Sequence, residues 1–301
     1  MGQPPTVLVT GATGFIGSRL AAELVARGLT VRSMTRHPDT FTGAGSPVGA
    51  DVGDPASLEA ALDGVDVAVY LVHSLDRPDF ESRDAAAARA FGRAAGRAGV
   101  RQIVYLGGLG AESAELSPHL RSRRQVERLL AGHGVPVTAL RAAIVVGHGG
   151  VSWELTRQLV KNLPAMVVPR WTSTRTQPIA VDDVIRYLAG VIDEPRAFGQ
   201  TYEIGGPEAM TYIDMLEIAA EVTTGRRVPI IAVPVLTPRL SSYWLSLVTD
   251  VDVTTGRNLI DSMSTEVVVT DDRIVGLVPG EPISYREAVR RAVDERETTG
   301  S

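Results

Sequence analysis

The chain has 301 residues, 44% of them hydrophobic, with 30 Lys and Arg against 35 Asp and Glu for a formal net charge of −5 at pH 7. That length buries a large core, and the acidic balance argues against broad nucleic-acid binding, which needs a clustered excess of Lys and Arg. There is no cysteine, which excludes disulfides, thiolate catalysis and Cys-ligated metals. No apolar run approaches the roughly 18 residues of a membrane-spanning helix.

The elements follow in a βα rhythm. "TVLVT" is a first strand from Thr6, and "GFIGSRLAAELVARG" a helix closed by Gly28. "TVRSMT" is the second strand, and "PVGAD" ends a short third one. "PASLEAALDG" is a helix with proline at its start and glycine just past its end. "VDVAVYLV" is a fourth strand, apolar enough to be buried on both faces. A long alanine-rich helix over roughly 79–98 ends at Gly99. "RQIVYL" is the fifth strand, a helix opens at Ser117-Pro118, and "VPVTALRAAIVVG" supplies the sixth strand. After Gly147 prolines recur and the alternation loosens. "TQPIAVDDVIRYLAGVI" still reads as a strand entering a helix, with Asp182 or Asp183 near its cap, whereas "WTSTRT" and "PRLSSYWLSLVTDVDV" read as an irregular second lobe. The pattern predicts an α/β protein: a Rossmann-type doubly wound parallel sheet over 1–148 and a smaller C-terminal substrate-binding lobe over 149–301, with 177–205 returning to the sheet.

The motif that carries most weight is "VTGATGFIG", with Gly11, Gly14 and Gly17 between a strand and an amphipathic helix. Gly11 permits the tight turn, Gly14 lets the backbone approach a pyrophosphate, and Gly17 lets helix and strand pack closely. The helix N-terminus then faces the phosphates. Thr13, Phe15 and Ile16 share this turn and are assigned to the cofactor. The second strand ends "RSMTRHP" without the acid that meets the ribose hydroxyls in NAD sites. Arg36 stands where a 2′-phosphate would be met, with Arg19 and Arg32 as further candidates, so NADP(H) is favoured over NAD(H). Asp51 is either the partner of the adenine amino group or a turn residue, with Val52 beside it. Val72, His73 and Ser74 follow the fourth strand, whose C-terminal edge faces the ligand in doubly wound sheets. The alternative for His73-Ser74 is a loop pair capping the next helix.

"TGATGFIG", "ADVGD", "YLVHS", "IVYLGGLG", "LRSRRQVERLL" and "QPIAVDDV" together resemble the short-chain dehydrogenase/reductase superfamily. The match is closest to its atypical, YbjT-like and NmrA-like NAD(P)H-binding proteins. In catalytic members of that superfamily a Ser or Thr after the fifth strand orients the substrate, a Tyr donates the proton, and a Lys four residues later lowers that tyrosine's pKa. Laid over this chain, those positions fall on Gly107-Gly108, His119 and Arg123. Tyr105 lies within the strand and is no simple substitute.

His119 and Arg123 are one helical turn apart and share a face. Arg123 is expected to take over the lysine's ribose contact and to depress the pKa of His119. A neutral imidazole still donates a hydrogen bond to a developing oxyanion. Alternatively Arg123 is a solvated helix charge and His119 a helix-start residue. His148, Arg170, Trp171 and Arg175 are candidates for substrate binding, with Gln177 nearby. There is no G-x-S-x-G turn, no P-loop and no HExxH helix, so hydrolase, NTPase and metalloprotease readings fall and no metal is expected. Two functions remain open: an NADP(H)-dependent reductase of a small, partly apolar carbonyl or alkene, working without the Ser-Tyr-Lys triad, and a non-catalytic NAD(P)H-binding sensor or assembly protein. Either is expected to be cytoplasmic, without membrane insertion, and the apolar stretch at "PRLSSYWLSL" either walls an apolar pocket or forms a homodimer surface.

Overall fold

The computed structural model describes residues 4–74, 77–110, 116–162, 165–233, 263 and 265–300, with 166–171 and 231–233 described by their backbone alone. The expected irregular stretch over 238–253 lies outside the described residues. Seven strands form one parallel sheet: β1 (Thr6–Val9), β2 (Thr30–Thr35), β3 (Ser46–Gly49), β4 (Val67–Tyr70), β5 (Gln102–Gly108), β6 (Val137–Ala142) and a last strand, Thr201–Ile204. Their spatial order is last strand-β6-β5-β4-β1-β2-β3, so the direction of winding reverses between β1 and β4. That reversal opens the crevice in which doubly wound sheets hold a dinucleotide. The Rossmann-type α/β fold read from the sequence is thus borne out.

Alternate residues of each strand point to opposite faces, and both faces are buried. Val7, Val9, Val67, Val69 and Val104 pack into one core layer. Leu8, Ala68, Tyr70, Ile103 and Tyr105 pack into the other. Helix α1 (Phe15–Ala26) covers the first face. Helices α2 (Pro55–Leu62), α3 (Phe80–Ala98) and α4 (Pro118–Ala131) cover the second. The helix boundaries have local causes. Asp54 accepts from the Ala56 N–H and Ser117 from the Leu120 N–H, each with proline at the first helical position. Gly99 ends α3 with φ +73°, a conformation glycine adopts without strain.

The chain departs from expectation after β6. The run to Gly147 is not one strand: it leaves the sheet at Ala143. A separate β7 (Val145–Val146) pairs in parallel with β10 (Ile179–Ala180). Between them lie α5 (Val151–Asn162), β8 (Met166–Pro169) and β9 (Arg175–Thr176). Helix α6 (Val181–Val191) then packs against α1, and the seventh sheet strand, β11, adds to β6. A buried polar knot secures this return. Gln102 donates to Thr138 Oγ1 and to the Val191 carbonyl, both at 2.8 Å, and accepts from the Asp193 N–H at 2.8 Å.

The second lobe adds β12 (Met210–Thr211), paired antiparallel with β9, and α7 (Tyr212–Thr224), which opens on a capping box between Thr211 and Asp214. It also contains β13 (Ile230–Val233) paired with β8, α8 (Arg273–Leu277) and α9 (Tyr285–Thr299). Helices α5, α7 and α9 share a third core around Trp153, Met215 and Val289. Among the described residues no helix is long and apolar enough to cross a membrane.

Candidate functional site

The C-terminal ends of β1, β4, β5 and β6 surround a cavity of about 620 Å³. One wall is the glycine turn and first turn of α1, from Gly11 to Gly17. Leu71, Val72 and His73 follow β4, and Leu106 to Leu109 end β5. His119, Leu120 and Arg123 come from α4 and Ala142 to Val145 from the end of β6. The second lobe closes the space with Gly149 to Ser152, Tyr212, Met263 and Val267. Residues following β2 and β3 take no part in the lining, so the cavity occupies the β4–β6 side of the crevice.

The turn fits a dinucleotide phosphate on stereochemical grounds. Gly11 has φ +62°, and a Cβ on Gly17 would stand 2.1 Å from the Gly11 carbonyl oxygen. Only glycine allows that approach of helix to turn. Gly14 caps α1 without a side-chain bond, and the first turn carries no acid, so the free N–H groups and positive dipole end face the cavity.

His73, His119 and Arg123 converge in the lining of this cavity. Burial pushes the His119 imidazole down to about 3, aided by the charges of Arg123 and His73. Burial is therefore the larger cause and the neighbouring guanidinium the smaller. For His73 the order reverses: Arg123 depresses it first and burial second. That order agrees with His73 being an exposed residue. Both shifts favour the neutral imidazole at pH 7.

Two residues of β5, Gly108 and Tyr105, have physical explanations. A Cβ on Gly108 would stand 2.6 Å from Leu120 Cδ2, so the space for a side chain there is filled from α4. Tyr105 is fully buried, packs in the core with Tyr70, and donates its hydroxyl to the Arg123 carbonyl at 3.2 Å. Burial raises its pKa. It is a core residue. A phenol that the sequence reading missed, Tyr212, does line the cavity; burial pushes it up to about 12. The capping box predicts where its helix starts, but only the tertiary fold brings that helix start to the cleft.

Other expected residues go elsewhere. Arg36 is exposed after β2, beside the crevice but outside this cavity. Asp51 accepts from the Gly53 N–H at 2.7 Å, so the turn role is realised. Val52 packs on the core under the sheet, and the Ser74 carbonyl accepts from the Arg77 N–H. Arg32 donates to the Asp63 carbonyl and Arg19 to the Phe15 and His148 carbonyls. His148 stands outside the cavity lining, its ring nitrogens facing Glu154 at 3.3 Å and Thr299 at 3.4 Å. Arg175 is exposed on β9, and Gln177 spans the Gly206 carbonyl and the Val269 N–H. The side chains of Arg170 and Trp171 lie outside what is described.

A family model described as NAD(P)H-binding matches residues 11–195. The chain belongs to the NAD(P)H-binding family. The resemblance seen in the sequence therefore holds. Among curated relatives, a Streptomyces griseus (4-alkanoyl-5-oxo-2,5-dihydrofuran-3-yl)methyl phosphate reductase is 33% identical over 218 residues, covering 68% of this chain and 69% of that protein. An uncharacterised Mycobacterium bovis protein is 27% identical over 238 residues, 79% of this chain, but the match spans only 25% of that longer protein. Among solved structures, an Escherichia coli NADPH-dependent quinone oxidoreductase in complex with NADPH superposes with TM-score 0.76 at 22% identity, covering 94% of this chain and 98% of that one. A Citrobacter triphenylmethane reductase in complex with NADP(H) gives 0.77 at 19%, covering 95% and 99%. These structures share the fold. This NAD(P)H-binding chain has a reductase among its relatives.

Proposed function

We propose that the protein is an NADPH-dependent reductase of a small, partly apolar acceptor, and that a conjugated alkene suits its site better than a simple carbonyl. The observation that carries this reading is the convergence of His73, His119 and Arg123 in the cavity that the glycine turn also lines, among largely apolar neighbours. The bound dinucleotide supplies hydride. His119 donates its N–H to the acceptor oxygen, and Arg123, permanently protonated, stabilises the negative charge that develops there. At pH 7 a histidine with a pKa of about 3 is protonated in on the order of one molecule in 10,000. A simple ketone becomes an alkoxide that needs a proton at once. A conjugated acceptor holds its charge as an enolate, which water protonates on carbon afterwards. Leu109, Leu120 and Val267 wall the apolar side.

Preference for NADP(H) rests on Arg36 at the end of β2 and on the absence of an acid there. The NADPH and NADP(H) complexes of the two structural relatives agree with it. In this reading residues 1–148 hold the cofactor and 149–301 the substrate, with 177–205 completing the sheet. The Streptomyces griseus relative, a reductase of an alkanoyl-substituted oxo-dihydrofuran, supports an acceptor of this kind.

A second reading, cofactor binding without turnover, is favoured by the histidine and arginine at the family's tyrosine and lysine positions. The deciding experiment titrates the protein with NADPH by nicotinamide fluorescence. It then follows oxidation of the bound NADPH with an alkyl-substituted enone and the matched saturated ketone. Turnover of the enone above the ketone is expected. Tight binding with neither oxidised would favour the sensor.

A further inference from the structure

Phe15, at the start of α1, is braced from the far end of the chain. Arg19, one turn into α1, donates to the Phe15 carbonyl and to the His148 carbonyl, each at 3.0 Å, and pairs with Glu295 of α9 at 2.5 Å. The same guanidinium lies over the Phe15 ring, 4.9 Å from its centroid. On its other side that ring meets the loop before α5. A Cβ on Gly150 would stand 2.9 Å from the ring, and one on Gly147 3.1 Å. Phe15, Gly149 and Gly150 all line the cavity. The loop has a second tie to α9, through His148 to Thr299 and through Glu154 to Arg296 at 3.4 Å.

We infer that Arg19 is a positioning residue for the nicotinamide half of the cofactor. It holds the Phe15 ring and the 147–150 loop as one wall, and Glu295 of the C-terminal helix holds Arg19. This rests on the dinucleotide reading above. The geometry makes the effect one-sided. The braced wall belongs to the β4–β6 side of the crevice, whereas the adenosine half lies across the β1–β4 reversal, over the ends of β2 and β3. A guanidinium serves four acceptors at once here, a planar fork on two carbonyls and a carboxylate plus the ring face. Lysine or methionine cannot reproduce that set.

Two ligands separate the halves: NADPH, and adenosine 2′,5′-bisphosphate as a probe of the adenosine half alone. Calorimetric titration of Arg19→Met is expected to show NADPH weakened about tenfold, the loss of a charged hydrogen-bond set, with the bisphosphate unchanged within about twofold. Glu295→Gln, at a half-exposed position, is expected to weaken NADPH by roughly threefold, again sparing the bisphosphate, and it carries the test should Arg19→Met fail to fold. Equal losses for both ligands, or no loss for NADPH, would overturn the inference while leaving the dinucleotide reading intact. Wild-type protein that binds neither ligand would overturn both.

Discussion

Replacing His119 by glutamine should remove a specific acid lability from the fold. The imidazole falls from its ordinary 6.5 to about 3 in the folded protein, chiefly through burial. Below pH 6.5 the unfolded chain takes up a proton at this position that the folded chain refuses. Stability therefore declines as pH falls from 6.5 toward 3, and the loss is absent above 6.5. At pH 5 the gap of about 1.5 pH units corresponds to about 2 kcal/mol. In a chain of this size that moves the melting temperature by about 4 °C. Carboxylates also titrate in this range, so the informative quantity is a double difference. Melting temperatures of wild type and His119→Gln are compared at pH 7.5 and pH 5, and the wild type should lose about 4 °C more. Arg123→Met should shrink the wild-type loss, since the guanidinium is the second cause of the depression. Identical acid losses in wild type and His119→Gln would refute the claim that this imidazole is held neutral. The proposed role of His119 as a neutral donor would fall with it.

Three further outcomes test the site. Gly108→Ser adds a side chain whose Cβ would stand 2.6 Å from Leu120 Cδ2. The variant should lose about 1 kcal/mol in urea unfolding, because the opposing atom is the end of a leucine side chain, and combined with Leu120→Ala the two losses should total less than their sum. Tyr105→Phe removes the hydroxyl bonded to the Arg123 carbonyl. It should cost about 1 kcal/mol and leave NADPH oxidation unchanged, because that phenol faces the core; a collapse of turnover would return Tyr105 to the chemistry. Arg36→Ala should weaken NADPH by about tenfold and leave NADH within twofold in parallel fluorescence titrations, and equal losses would remove Arg36 from the 2′-phosphate.

The sheet was legible because its signals are local. Alternation, Asp54-Pro55, Ser117-Pro118 and the spacing of Gly11, Gly14 and Gly17 each act within one turn or one strand. The break after Ala142 was not legible, since "AAIVVG" is equally apolar whether it continues one strand or starts the β7 pairing with β10. The cavity was half legible. His73, His119 and Arg123 follow from strand ends and helical spacing, and the structure brings them to one wall. Arg19 and His148 defeated a reading along the chain because their partners lie 129 and 276 residues from Arg19 and 151 from His148. Asp51 was the opposite case. Its bond to Gly53 is an Asx turn visible in "DVG", and the local reading was the one the structure realises.

The exchange at positions 119 and 123 is not a conservative one, and the reason is the sign of the ionised form. In the family's pattern a cation beside a phenol stabilises the phenolate, lowers the pKa and makes a better acid. The same cation beside an imidazole destabilises the imidazolium, so it too lowers the pKa, but here it empties the proton-donating state. Burial compounds the difference, because desolvation disfavours whichever form is charged. It raises Tyr105 and Tyr212 and lowers His119. Keeping the cation while replacing tyrosine with histidine thus retains the electrostatic stabilisation of an oxyanion and discards the delivery of a proton. That is the ground on which the proposed function prefers acceptors that hold their charge until solvent arrives.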